Sequence, residues 1–292
     1  MKKINLLFLM ATAFSMLLFS CNNGLPGEAY TIKMRMNKAD TFHQNIKMDM
    51  TMKMNVPGQP VDMKMNVDAG VTFEVTDTTT TSKDLKLTYT SMHMGMDMGN
   101  KAMGAVNMDS IMDRTIGKII GKSVILELSP TNEITQVKGF DSLMQESSND
   151  EATRQMMEKM FSKDQMNNMF GMLFTMYPTK PVKVGETWTS KSKVNLANMD
   201  MQINIKYKLV GVKNGLADID VDGVIDAKGD MKQNNMSIGV SMSGTQKGML
   251  TIKMNDGYLE NGSYKMDVKA EMDMAGQKIP MTIKADYYLS NK

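Results

Sequence analysis

Apolar and polar residues alternate along much of this chain with a period of two. Ile46, Met48, Met50, Met52, Met54 and Val56 share one parity, while Lys47, Asp49, Thr51, Lys53 and Asn55 hold the other. Successive side chains of a strand point to opposite faces, so the pattern predicts a strand with one apolar and one wetted face. Pro57-Gly58-Gln59-Pro60 interrupts the run and Val61, Met63, Met65 and Val67 resume it, which predicts a β-hairpin. Val71-Phe73-Val75 and Leu85-Leu87-Tyr89 predict further strands, joined by the polar stretch Thr78 to Thr81.

The C-terminal part repeats this style. Ile203-Ile205-Tyr207-Leu209, Leu216 to Val221, Met236 to Met242, Met249 to Met254, Tyr258 to Met274 and Ile279 to Leu289 read as strands. Asn214-Gly215 and Asp256-Gly257 are strong signals for tight hairpin turns. The middle differs. Met156, Met160 and Phe161, and then Met166, Met169, Phe170 and Leu173, recur at helical spacing. Ser162 to Gln165 fits a capping box for the second of these helices, and Tyr177-Pro178 ends it. A shorter helix is expected over Asp109 to Ile119, and strands over Val124 to Leu128 and Ile134 to Val137.

These elements predict a mainly β (α+β) fold of curved antiparallel sheets, in two related β halves, with the central helical segment packed against them. The divisions are a leader over 1–20, a tether over 21–29, an N-terminal β region over 30–107, a mixed middle over 108–180 and a C-terminal β region over 181–292. Residues 29–292 are expected to form one compact unit. Two hairpins echo one another: Met52 to Met65 around Gly58-Gln59, and Met272 to Ile283 around Gly276-Gln277. A shared duplicated origin and a shared favourable turn explain the echo equally well.

The start of the chain changes where this fold is placed. Lys2 and Lys3 precede an apolar run from Leu6 to Phe19, which is too short for a spanning helix and reads as a secretory signal. Leu18-Phe19-Ser20-Cys21 resembles a bacterial lipobox, with bulky Phe19 as a departure from it. Cys21, the single cysteine, is then the lipidated N-terminus of the mature protein. Asn22 after it resembles lipoproteins sorted to the outer membrane. No intrachain disulfide can form, so stability must come from burial. Removing Lys2 and Lys3 takes Lys+Arg from 34 to 32, equal to the 32 Asp+Glu. A neutral mature chain gives no reason to expect a nucleic-acid partner.

The 37 methionines are the strongest compositional feature, since Met is not a favoured strand residue. Met48, Met50, Met52, Met54, Met63 and Met65 are expected to line a soft apolar interior that holds lipid or another apolar molecule. The alternative is copper, because thioethers suit Cu(I). Met92, His93, Met94, Met96 and Met98 are the candidate ligands. In a strand His93 would point away from Met92 and Met94, so that site requires a loop, which Gly95 and Gly99 permit. Oxidant scavenging would need exposed methionines, and the alternation predicts burial.

Other motifs are weaker. Asp218 to Gly223 imitates the start of a calcium loop, but Gly229 stands where the closing Glu belongs. Gly117 to Ser123 imitates a phosphate loop but is one residue short. His43 and His93 are the only histidines, and no catalytic signature accompanies them. No enzyme activity and no resident cofactor are expected.

Tyr177-Pro178-Thr179-Lys180-Pro181-Val182-Lys183-Val184-Gly185-Glu186-Thr187-Trp188 resembles an element of a Met-rich family of exported bacterial lipoproteins of unknown function. Members of that family combine Met-x-Met strands, a central helical part, this element and more strands. The resemblance implies a lipid-anchored, β-rich envelope protein and brings no catalytic residues. Within the element, the prolines stiffen the chain, Gly185 turns it, and Trp188 is expected to anchor the following strand in the core.

Overall fold

The computed structural model describes residues 27–56, 59–97, 99, 117–139, 158, 162–196, 199–233, 236–274 and 276–291. Among the described residues there are thirteen strands: β1 Ala29–Tyr30, β2 Thr41–Val56, β3 Gln59–Thr78, β4 Lys83–Asp97, β5 Ser123–Leu128, β6 Ile134–Lys138, β7 Val182–Lys183, β8 Thr187–Leu196, β9 Met199–Lys213, β10 Leu216–Gln233, β11 Met236–Lys253, β12 Leu259–Met274 and β13 Gln277–Ser290. A helix, α1, spans Lys163–Thr175 between β6 and β7. The helices expected over 109–119 and 156–161 lie outside the described residues almost entirely. β1 and β7 form a two-stranded ribbon, and the other eleven strands form one sheet in the order β6-β5-β4-β3-β2-β13-β12-β11-β10-β9-β8. Every neighbouring pair is antiparallel.

The mainly β, antiparallel expectation holds, but the two regions form a single continuous sheet rather than two sheets. The seam is the β2–β13 pair, where Met54 meets Met281, Met52 meets Ile283 and Ile46 meets Leu289. The two echoing hairpins are therefore neighbours, lying side by side across that seam. Several strands are also longer than expected. Ser243 to Gly248 reads as a break between two short strands, yet β11 runs through it. Gly248 faces Tyr264 across the β11–β12 pair, where a Cβ would lie 2.5 Å from the Tyr264 Cβ. The glycine is thus an inward position where the β12 backbone comes too close for any side chain, and the strand does not end there.

The sheet is curved. Eleven strands spaced at about 4.8 Å would hold the edge strands of a flat sheet roughly 48 Å apart. Thirteen-residue α1 is only about 20 Å long. Yet its C-terminal end touches both sides. The Asn132 amide, in the β5–β6 turn, donates to the Phe174 carbonyl at 3.4 Å, and Trp188 Nε1, on β8, donates to the Met176 carbonyl at 2.8 Å. The sheet must roll towards the helix to permit this, so the face carrying α1 is the concave one.

Local chemistry explains the helix. Ser162 Oγ accepts from the Gln165 amide at 3.3 Å, as the expected cap requires. Met166, Phe170, Leu173 and Phe174 recur at helical spacing and are buried, whereas Met169 falls off the stripe and is 37% exposed. Phe170 and Phe174 each pack nearly perpendicular to the ring of Phe73, with centroids 5.5 and 5.6 Å away. Phe73 stacks in turn on Phe42, and Phe42 on Tyr258. The main core gathers here, with Leu85, Leu87, Leu126 and Leu128 from β4 and β5 and Tyr207, Leu209, Ile219 and Leu250 from the opposite side. Each such side chain contributes about 1.5–3 kcal/mol when fully buried.

A bulge adjusts one strand. Ser91 pairs with Gly70 and Tyr89 pairs with Val71, so Thr90 is an extra residue in β4. Before it, the inward residues are Leu85, Leu87 and Tyr89; after it they are Met92, Met94 and Met96. A two-residue turn at Asn214 and Gly215, with φ of 55° and 76°, closes β9 and β10 as the Asn-Gly signal predicts.

The other face of the sheet is charged. Lys47 pairs with Asp68 at 3.2 Å, Lys265 with Asp286 at 3.5 Å and Lys284 with Asp267 at 3.5 Å, all between adjacent strands and all exposed. Each contributes at most about 1 kcal/mol. Their importance lies in marking the convex wall as one that faces water.

Candidate functional site

Directly opposed residues in an antiparallel sheet share a face, so the register lists the concave wall row by row. Nearest the core is Ala69–Ile46–Leu289–Gly262–Leu250–Ile219–Leu209. The next row is Met94–Val67–Met48–Tyr287–Tyr264–Gly248–Val221–Tyr207–Trp188, followed by Met96–Met65–Met50–Ala285–Met266–Gln246–Gly223–Ile205–Ser190. Beyond these lie Met63–Met52–Ile283–Val268 and Val61–Met54–Met281–Ala270.

All six methionines expected to line the interior, Met48, Met50, Met52, Met54, Met63 and Met65, therefore occupy one contiguous area of β2 and β3. Val56, Val61, Val67, Met94 and Met96 extend it, and every one of these eleven residues is half-buried. Among the described side chains, no strand methionine is buried; the buried methionines are Met34, Met36, Met166 and Met176, all off the sheet. The far end of β10–β13 is better filled. There Ala227, Ile238 and Val240 form a second small cluster against Met242 and Met272.

An aromatic band lies between the packed core and the methionine area. Tyr264 and Tyr287 stack with centroids 4.5 Å apart, and Trp188 stacks on Tyr207 at 5.6 Å. Burial raises the phenol pKa of Tyr207, Tyr264 and Tyr287, so these rings carry no charge at ordinary pH. No charged side chain points inward over the rows from Met48 to Met54 on β2, β3, β12 or β13, or at Met94 and Met96 on β4. Along the Met50 row the first polar side chain is Gln246, whose amide reaches the Met172 Sδ of α1 at 3.6 Å. One end of this row is thus under the helix, and the other carries Met50, Met65 and Met96. Chemically, the area can adapt to apolar surface or offer thioethers to a soft ion. It offers no acid, base or nucleophile.

The second candidate cluster is divided. Residues 83–97 are strand, not loop, so His93 is exposed on the convex side while Met92, Met94 and Met96 point inward. His93 therefore does not converge with Met92, Met94 and Met96 on one ion; Met98 lies outside the described residues. His93 instead pairs in register with Asp68. His43 is likewise exposed, with Nδ1 2.9 Å from Thr72 Oγ1. The acidic run at Asp218 to Asp222 is a strand as well, with Ile219 and Val221 buried beneath it and Asp218 accepting from Thr251 Oγ1 at 2.9 Å. Among the described residues, no three His, Cys, Asp or Glu side chains gather in a metal-binding group. The sequence did not signal that Met96 lies opposite Met65, because that pairing joins β3 to β4 and depends on the Thr90 bulge. Trp188 does anchor β8 as expected, and Tyr177 Oη adds a hydrogen bond to the Gly257 carbonyl at 2.6 Å. Cys21 lies outside the described residues.

Comparison with known proteins bears on fold and family. A profile described as a family of unknown function, DUF6263, matches residues 80–259. No curated protein sequence matches the chain. Among solved structures, lipovitellin aligns with a TM-score of 0.51 at 8% identity, over 88% of this chain and 25% of the lipovitellin chain. This chain therefore spans about a quarter of that protein's length. An outer membrane channel from Pseudomonas putida F1 aligns with a TM-score of only 0.23 at 8% identity, over 92% of this chain and all of that one.

Proposed function

The chain belongs to DUF6263, a family of unknown function, and from that premise we propose a non-catalytic, lipid-anchored lipoprotein of the cell envelope. Its rolled sheet holds a lipid or other apolar molecule against the methionine area. The observation that carries this reading is the half-burial of eleven apolar side chains on the concave face of β2–β4. Apolar surface grouped this way and left half-covered marks a contact surface for a partner molecule. Methionine suits such a surface because its unbranched chain repacks around ligands of different shape. A quarter of the lipovitellin chain, from a structure of lipid–protein interactions, aligns with this fold at a TM-score of 0.51, which supports a lipid as the occupant.

Cys21 supplies the anchor, and the outer membrane is the destination implied by Asn22. The charged convex wall argues against the sheet itself being a transmembrane wall, since a lipid-facing barrel surface is apolar. The protein sits beside the membrane and presents its concavity to the apolar molecule.

Native mass spectrometry of protein purified from membranes, followed by lipid extraction, tests the reading. A bound apolar species is expected, together with displacement of a fluorescent fatty acid. Met50→Lys combined with Met65→Lys should weaken fatty-acid binding at least tenfold while the protein stays folded. Finding no bound species and no fatty-acid binding would remove the proposal.

A further inference from the structure

We propose that Met50, Met65 and Met96 form a thioether site for a soft monovalent cation, Cu(I) in the first instance. The three residues come from β2, β3 and β4. Met65 lies directly opposite Met50 on one side and Met96 on the other. Opposed residues hold their Cβ atoms about 4.5–5.5 Å apart. With metal–sulfur bonds of about 2.3 Å, a trigonal ion needs its sulfurs roughly 4 Å apart. The reach of three thioethers, each on three rotatable bonds, covers the difference when the outer two lean towards Met65. The concave roll of the sheet helps, because inward side chains on neighbouring strands converge.

The surroundings select for a soft, weakly hydrated ion. Thioethers are neutral and soft, so they bind Cu(I) in preference to hard cations. The row carries no inward carboxylate or imidazole that would favour Zn(II) or Ca(II). Met48, Met52 and Met63 stand next to the trio on the same face and offer a replacement fourth sulfur. All three proposed ligands are half-buried, which leaves the ion a way in while limiting its hydration. This site differs from the sequence-level candidate around His93, because the strand turns that imidazole to the opposite wall.

The proposal does not depend on lipid binding, because Cu(I) affinity is read with no lipid present. Replacing Met by Leu keeps the apolar surface and removes the sulfur. Anaerobic titration of the purified protein with Cu(I) against bicinchoninate is the test. One Cu(I) per chain is expected to be withdrawn from the chelator. Combined Met50→Leu, Met65→Leu and Met96→Leu should weaken that binding at least tenfold, with an unchanged far-UV circular dichroism spectrum reporting that the variant is folded. Met249→Leu on the convex face and His93→Ala should each leave Cu(I) affinity within twofold. Should the triple variant fail to fold, methyl-labelled methionine NMR of the unaltered protein with Ag(I) reads the same contact. The methyl signals of Met50, Met65 and Met96 are then expected to shift before that of Met249. No competition with the chelator would overturn the site, as would unchanged affinity in a folded triple variant, loss of binding in His93→Ala, or Ag(I) shifts that bypass the trio.

Discussion

The core end of the concave face is built from Phe42, Val71, Phe73, Val75, Leu85 and Leu87, all buried under α1 and its flanking segments. Further along β2, β3 and β4, the inward residues become Met48, Met50, Met52, Met54, Met63, Met65, Met94 and Met96, all half-buried. The alternation is the same at both ends. The change is from branched and aromatic side chains, which lock into one packing, to unbranched thioethers that do not. Periodicity therefore tells which face is apolar, while the kind of apolar residue tells how permanently that face is covered.

Alkaline pH should act most strongly, and on the core end. Burial raises the phenol pKa of Tyr89, Tyr177, Tyr207 and Tyr264 above the ordinary 10.0. The unfolded chain loses these protons near pH 10 while the folded chain keeps them. Stability should therefore be full below pH 10 and fall as pH rises past it. Each such phenol contributes up to about 1.4 kcal/mol per pH unit. Urea midpoints measured from pH 8 to 11 should drop steeply only in the last unit. Next in size, Phe73→Ala should cost about 3–5 kcal/mol, and Met52→Ala about 1 kcal/mol. Equal costs in denaturant titrations would break the distinction between the two ends.

Trp188→Phe removes the hydrogen bond to the Met176 carbonyl that ties β8 to the helix. A loss of about 1–2 kcal/mol is expected. Hydrogen exchange should quicken in β8 and α1, with β2 and β3 beyond Met48 unchanged. The smallest effect belongs to the convex wall. Lys47→Ala breaks an exposed pair with Asp68 and should change stability by less than about 0.5 kcal/mol, with no change in fatty-acid binding.

Much of the fold is written locally. The β2–β3 hairpin, the Asn214-Gly215 turn and the Ser162-capped helix each depend on residues a few positions apart, and each forms where its pattern places it. The β2–β13 seam depends on pairing residues more than 200 positions apart, such as Ile46 and Leu289, and no local signal encodes it. For the same reason the separation into two β halves was legible as strands but not as one sheet. The six methionines of β2 and β3 were readable as a shared face from parity alone. Their partnership with Met96 was not, since it follows from register across β3 and β4. The glycine-rich stretch of β11 misled because a glycine pressed against a neighbouring strand's backbone looks, in sequence, like a glycine in a turn.

Thr90 sets the reading frame of β4. Upstream of it, odd-numbered residues belong to the interior; downstream, even-numbered residues do. Were Thr90 paired as an ordinary strand residue instead of bulged out, one frame would run on from Tyr89 along the whole strand. The concave wall would then receive His93 and Asp97, and the methionines would turn out to water. The same amino acids would thus offer a hard, ionisable lining in place of a soft, neutral one, so the chemistry of this surface rests on a count as much as on a composition.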